Sequence, residues 1–173
     1  MNATLESWNT ASADAALRAM LACCGARRWA AAMVARRPIR AVAELSAAAD
    51  EEWARMKESD WMEAFACHPR IGERKATHAS PQSSAWSRQW SNQEQSSTIQ
   101  AAERVLAELA AGNELYEQRF GFTYIVCATG KSAEEMLAIL NRRLAGDRAG
   151  EFREAAEQQR QITQIRLGKW LIE

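Results

Sequence analysis

Apolar residues recur at three- and four-residue spacing along most of the chain, the period of helices that bury one face. "ADAALRAMLACCGARRWAAAMVARR" (13–37) predicts two helices broken near Gly25. Pro38 stops the second, because the residue before a proline resists the α region. "IRAVAELSAAADEEWARM" (39–56) predicts a third helix. "SDWMEAFACH" (59–68) predicts a fourth, with Ser59 or Asp60 as N-cap, Glu63 in a capping-box position and Pro69 as the stop. From Pro69 to about Trp90 the period fails. This Ser-, Gln- and Trp-rich stretch predicts a long loop, and long loops inside compact domains are often functional.

Periodicity returns in "SNQEQSSTIQAAERVLAELAAGN" (91–113), where Ser91 and Glu94 have capping-box spacing and Gly112 with Asn113 predicts the close. "ELYEQRF" (114–120) predicts a short helix ending at Gly121. "FTYIVCATG" (122–130) has strand composition, but a lone strand has no partner, so no sheet is expected. "KSAEEMLAILNRRLAG" (131–146) is amphipathic, with Ala133, Met136, Leu137, Leu140 and Leu144 on one stripe. The last and longest helix is expected over 149–173. With no internal repeat and no linker, residues 1–173 predict one all-α domain, a bundle of about eight helices with one long irregular loop.

Composition narrows the classes of function. Apolar residues make up 47% of the 173, enough for one sizeable core. Lys+Arg and Asp+Glu balance at 22 each, and no basic stripe interleaved with aromatics argues for nucleic acid. No apolar run is long enough to span a bilayer, so no membrane partner is expected. "MNATLESWNT" shows no signal peptide and "KWLIE" is not a peroxisomal address, so a cytoplasmic protein is expected. Cys23, Cys24, Cys67 and Cys127 form no CxxC pair and no zinc-ligand spacing; they read as reduced core residues.

Three constellations could carry chemistry. His68 stands at a helix end with Pro69 stiffening its mounting, and the helix dipole there favours an imidazolium by up to roughly 2 kcal/mol. It reads either as a positioned acid or as a C-cap that only answers the dipole. Ser91, Glu94 and Gln95 share one face of a helix's first turn, where they could meet a small polar ligand or simply close a capping box. At roughly 100° per residue, Phe152, Ala155, Gln159, Ile162, Arg166 and Trp170 fall on one face of the last helix. An arginine within such a stripe must meet a carboxylate, of the protein or of a ligand. His78 with Glu73 matches no metal-ligand spacing, and Cys67 beside His68 is a poor nucleophile pair, since adjacent residues at a helix end point apart.

"HPRIGE" (68–73), "SNQEQ" (91–95), "YEQRFGFTYIVCATGKSAEEML" (116–137) and "ITQIRL" (162–167) occur in that order. Together they resemble the 2-oxo-4-hydroxy-4-carboxy-5-ureidoimidazoline (OHCU) decarboxylases of urate catabolism, over about residues 5 to 171. The resemblance implies an all-α, dimeric enzyme without metal or organic cofactor that converts OHCU to (S)-allantoin. It implies His68, Glu94 and Arg166 as catalytic residues, and Pro69, Ser91 and Gln95 as substrate contacts. It further implies that the backbone of Tyr124, Ile125, Val126, Cys127 and Ala128 meets the ureido and ring amides. The 74–90 loop, with Trp86 and Trp90, has no counterpart in that pattern, and the lack of a peroxisomal tail fits a bacterial form.

Overall fold

The structure, a computed structural model, describes residues 2–71 and 103–172. Among them are eight helices and no strand: α1 (Ala3–Thr10), α2 (Ala13–Cys23), α3 (Arg27–Ala35), α4 (Val42–Ala54), α5 (Glu58–Ala66), α6 (Glu103–Phe120), α7 (Ala133–Leu144) and α8 (Arg148–Trp170). The all-α expectation holds, and the extended segment 122–128 pairs with no strand. The number of helices agrees with the expectation although two of its elements differ. α1 was not foreseen; Asn2 Oδ1 caps it at the Leu5 N–H, and Leu5 and Trp8 bury against the core. Asn2 Nδ2 also donates to the Leu171 carbonyl, which ties the two ends of the fold together.

The other difference lies at 112–113. The expected close of one helix and start of another is a single helix, α6, running through Gly112 and Asn113. Neither residue acts as a stop. A Cβ at Gly112 would lie 2.5 Å from Leu140 Cδ2, so this glycine lets α7 approach α6 closely. The Asn113 amide donates to the carbonyls of Leu109 and Ile71 at 2.7 and 2.8 Å. The N-terminal part of that predicted helix, with Ser91, Glu94 and Gln95, lies outside the described residues, as do His78, Trp86 and Trp90.

The break near Gly25 is present between α2 and α3, and its reason is packing. A Cβ at Gly25 would collide with Cys67 Sγ, so glycine admits the end of α5 at this point. α5 starts two or three residues earlier than expected: Lys57, not Ser59 or Asp60, is its N-cap, and Asp60 accepts from the Lys57 N–H. Glu63 does not close a capping box. Its carboxylate accepts the Arg27 N–H and caps α3 instead. α8 runs through the middle of the bundle against α2, α4, α5 and α6. Its predicted stripe is buried throughout, from Phe152 to Trp170. An aromatic cluster of Trp61, Phe65, Tyr116, Phe122 and Phe152 packs beside it, with ring centroids 5.3–5.9 Å apart along its contacts.

Candidate active site

His68 is the first residue after the α5 C-cap, and its N–H donates to the Phe65 carbonyl. The backbone turns away at Pro69, which is exposed. The imidazole points to α8, where His68 Nε2 lies 2.6 Å from Gln159 Oε1. Gln159 is fully buried, and its Nε2 donates to Thr163 Oγ1 at 3.2 Å. The Thr163 hydroxyl in turn donates to the Gln159 carbonyl at 3.0 Å. Arg166, three residues further and only 2% exposed, shares this face. α8 thus presents a row of polar groups to the end of α5 within an otherwise apolar stripe.

Electrostatics in this row run against the helix-end expectation for His68. Removal from water and the nearby Arg166 charge hold its pKa down at about 3, against 6.5 ordinarily, and the Gln159 hydrogen bond opposes them only in part. The imidazole is therefore neutral at pH 7. Cys24 and Cys67 border the same region. Burial pushes the Cys24 thiol up to about 11, against the pull of Ala26, Thr163 and Arg166. Burial and the Glu63 charge raise Cys67 as well. Protonated thiols are poor nucleophiles, so neither serves as one at neutral pH.

The turn after His68 is clamped by α6. Arg70 forms a two-pronged ion pair with Glu117, at 2.9 Å from Nε and 2.6 Å from Nη2. One helical turn earlier on α6, Asn113 holds the Ile71 carbonyl. The segment Tyr124–Ala128 is buried along its length. Gln158 accepts the Cys127 N–H at 2.8 Å, and Lys131 Nζ donates to the Cys127 carbonyl at 2.7 Å. Arg143 donates to the Ile125 carbonyl at 2.6 Å. In an extended chain, successive residues turn their backbone polar groups to opposite edges. One edge, Ile125 and Cys127, is thus bound to the protein. Among the described residues the N–H and C=O of Val126, on the other edge, have no hydrogen-bond partner.

Arg143 is buried with Glu151, 2.7 Å from Nε, and Tyr116 OH hydrogen-bonds both. Its guanidinium also lies 5.6 and 5.0 Å from the ring centroids of Tyr116 and Tyr124. Sequence reasoning assigned no role to Arg143, Gln158, Gln159, Thr163 or Glu117. For Arg143 the signal was present: it follows Met136 and Leu140 by seven and three residues, on the α7 stripe, as Arg166 does on α8. A cleft of about 320 Å³ lies between α5 and the start of the extended segment, lined by Met62, Phe65, Ala66, Glu117, Gly121, Phe122 and Thr123. His68, Gln159 and Arg166 do not line it.

Fold and site together describe a helical protein whose central helix carries a buried glutamine–threonine–arginine row against a single histidine. The sequence matches the family model described as OHCU decarboxylase over residues 9–168. It is 32% identical over 147 residues to the uric acid degradation bifunctional protein TTL of Arabidopsis thaliana, covering 85% of this chain and 44% of that protein. It is 40% identical over 55 residues to the 2-oxo-4-hydroxy-4-carboxy-5-ureidoimidazoline decarboxylase of Amia calva, covering 32% of this chain and 31% of that one. The chain thus spans less than half the length of the curated relatives it matches. A solved structure of OHCU decarboxylase in the presence of (S)-allantoin is similar with a TM-score of 0.76 at 30% identity, covering 90% of this chain and 99% of that one. A structure of (S)-allantoin synthase shares the fold, with a TM-score of 0.69 at 16% identity over 96% of this chain and 53% of that one. The chain belongs to the OHCU decarboxylase family.

Proposed function

We propose that the chain, acting over residues 1–173 as one domain of this family, decarboxylates OHCU to (S)-allantoin, the last step of urate catabolism. The observation that carries this reading is the neutral His68, held by Gln159 in the field of the buried Arg166. OHCU bears a carboxylate and a hydroxyl on one ring carbon, next to an imine carbon carrying the ureido group. When the bond to the carboxylate breaks, its electron pair moves into the adjacent imine, whose nitrogen takes one proton from solvent. The substrate is its own electron sink and needs no pyridoxal or thiamine. The hydroxyl then loses its proton to become the ring carbonyl, and the carbon bearing the ureido group gains one on a single face.

A neutral imidazole suits this exchange, because it takes the hydroxyl proton and returns it to carbon. Arg166 suits the substrate carboxylate. Until it leaves as CO2, a bound carboxylate also offsets the Arg166 charge, which adds to burial in depressing His68. The open N–H and C=O of Val126 fit the alternating donors and acceptors of a ureido group. Pro69, Ser91 and Gln95 complete the substrate contacts in this reading, and Glu94 binds the hydroxyl. The protein is read as a cytoplasmic, bacterial homodimer, on family likeness.

The test is optical. Urate and the upstream enzymes generate OHCU in situ, and circular dichroism follows the product. Optically active allantoin forms faster with the protein than without it; equal rates sink the proposal.

A further inference from the structure

The distances in the polar row on α8 favour one assignment of hydrogens. The main-chain carbonyl of Gln159 can only accept. Thr163 Oγ1 lies 3.0 Å from it, so the single hydroxyl hydrogen goes there, the bond a helical threonine makes four residues back. With its hydrogen committed, Thr163 Oγ1 meets the Gln159 side-chain amide as an acceptor, 3.2 Å away. Gln159 Nε2 therefore faces Thr163, and Oε1 faces His68. An amide oxygen carries no hydrogen, so the 2.6 Å contact with His68 Nε2 is a hydrogen bond only if Nε2 carries one. The reversed amide would make the 2.6 Å contact an N–H···N bond, shorter than such bonds run, and would draw the Thr163 hydroxyl away from the Gln159 carbonyl.

We propose that Gln159 and Thr163 are positioning residues that hold His68 as its Nε2–H tautomer, leaving Nδ1 as the atom that exchanges a proton with substrate. The tautomer stands on hydrogen-bond geometry alone; the role of Nδ1 rests on the decarboxylase reading above. In the exchange, the substrate O–H bond breaks as an N–H bond forms at Nδ1. That N–H bond then breaks as the C–H bond forms. Between the two steps both ring nitrogens carry hydrogen, and Gln159 Oε1 accepts a charge-assisted bond from Nε2. Being an amide, it cannot remove that proton, so the only route out is through Nδ1.

The experiment is a long-range ¹H–¹⁵N correlation spectrum of the ¹⁵N-labelled full chain at pH 7. It is recorded in a His78→Asn background that leaves His68 as the one histidine. The nitrogen coupled to both ring C–H protons is Nε2. It should resonate as a protonated, pyrrole-like nitrogen, and Nδ1 as a pyridine-like one. The opposite pattern, or one averaged shift for both, overturns the proposal. Thr163→Val should bring the two shifts together and lower kcat by about tenfold with KM little changed, a fraction of what one positioned acid–base group contributes. Thr163→Ser should restore both. A Thr163→Val protein with unchanged spectrum and kcat refutes the lock. If the expected spectrum is found but no form of the protein makes allantoin, the tautomer stands and the decarboxylase reading falls.

Discussion

At the scale of the residue, His68 decides both the chemistry and a part of the pH response. Its pKa is held down at about 3 by burial and by Arg166, while the unfolded chain returns it to near 6.5. The unfolded state therefore binds the proton first. The contribution of this group to stability is complete above about pH 6.5 and is lost as pH falls toward 3. His68→Asn should lose less stability than wild type between pH 7 and pH 4, measured by urea unfolding at both. The same variant should lower kcat by roughly 10²–10⁴, the contribution of one positioned acid–base group. Near wild-type kcat would leave His68 only a cap. Arg166→Lys keeps the charge but loses the planar fork that grips a carboxylate. It should cut kcat/KM steeply while Tm stays close to wild type. A falling Tm with full activity per folded molecule would make Arg166 a structural partner instead.

At the scale of the element, the segment 122–128 is shaped by side chains from other helices rather than by a sheet. Arg143 on α7 holds the Ile125 carbonyl, pairs with Glu151 on α8 and meets Tyr116 on α6. Removing one member of a buried ion pair strands the other. Arg143→Met should cost about 3–5 kcal/mol of stability, whereas Arg143→Met with Glu151→Leu should recover most of it. Equal loss in the single and double variants would show that the Ile125 contact, not the stranded charge, carries the energy. The α5 end is held from two sides in the same manner. Gln159 takes the His68 ring, while Glu117 and Asn113 take the turn that follows it.

At the scale of the whole molecule, the tryptophans bear on assembly. Seven in 173 residues are a surplus that a partner surface could use. Among the described residues most of them face inward. Trp8, Trp29, Trp53 and Trp170 are buried, and the indole N–H groups of the first three donate to the carbonyls of Ala16, Ala49 and Ala156. The large exposed apolar side chains among the described residues are Val42, Leu115 and Ile172, on three different parts of the chain. Dimerisation therefore rests on family likeness. Sedimentation equilibrium at micromolar concentration should show about twice the 19.3 kDa chain mass, and a monomer alone would refute it.

Periodicity alone determined the helical class, the α7 and α8 stripes and the burial of Arg166, because 3.6-residue spacing is a local property that burial must respect. The order of four short motifs determined the family. Tertiary contact decided the rest. Gly112 and Asn113 have the chemistry of a helix stop, yet Leu140 and Ile71 use them to pack and bind from a distance. Glu63 has capping-box spacing, yet it caps another helix. His68 has a helix end that favours charge, yet burial against α8 and the field of Arg166 keep it neutral. Each of these residues carries the same local signal in either role. Which role it plays depends on what lies across the fold, 20 to 100 residues away in the chain, and sequence spacing does not encode that distance.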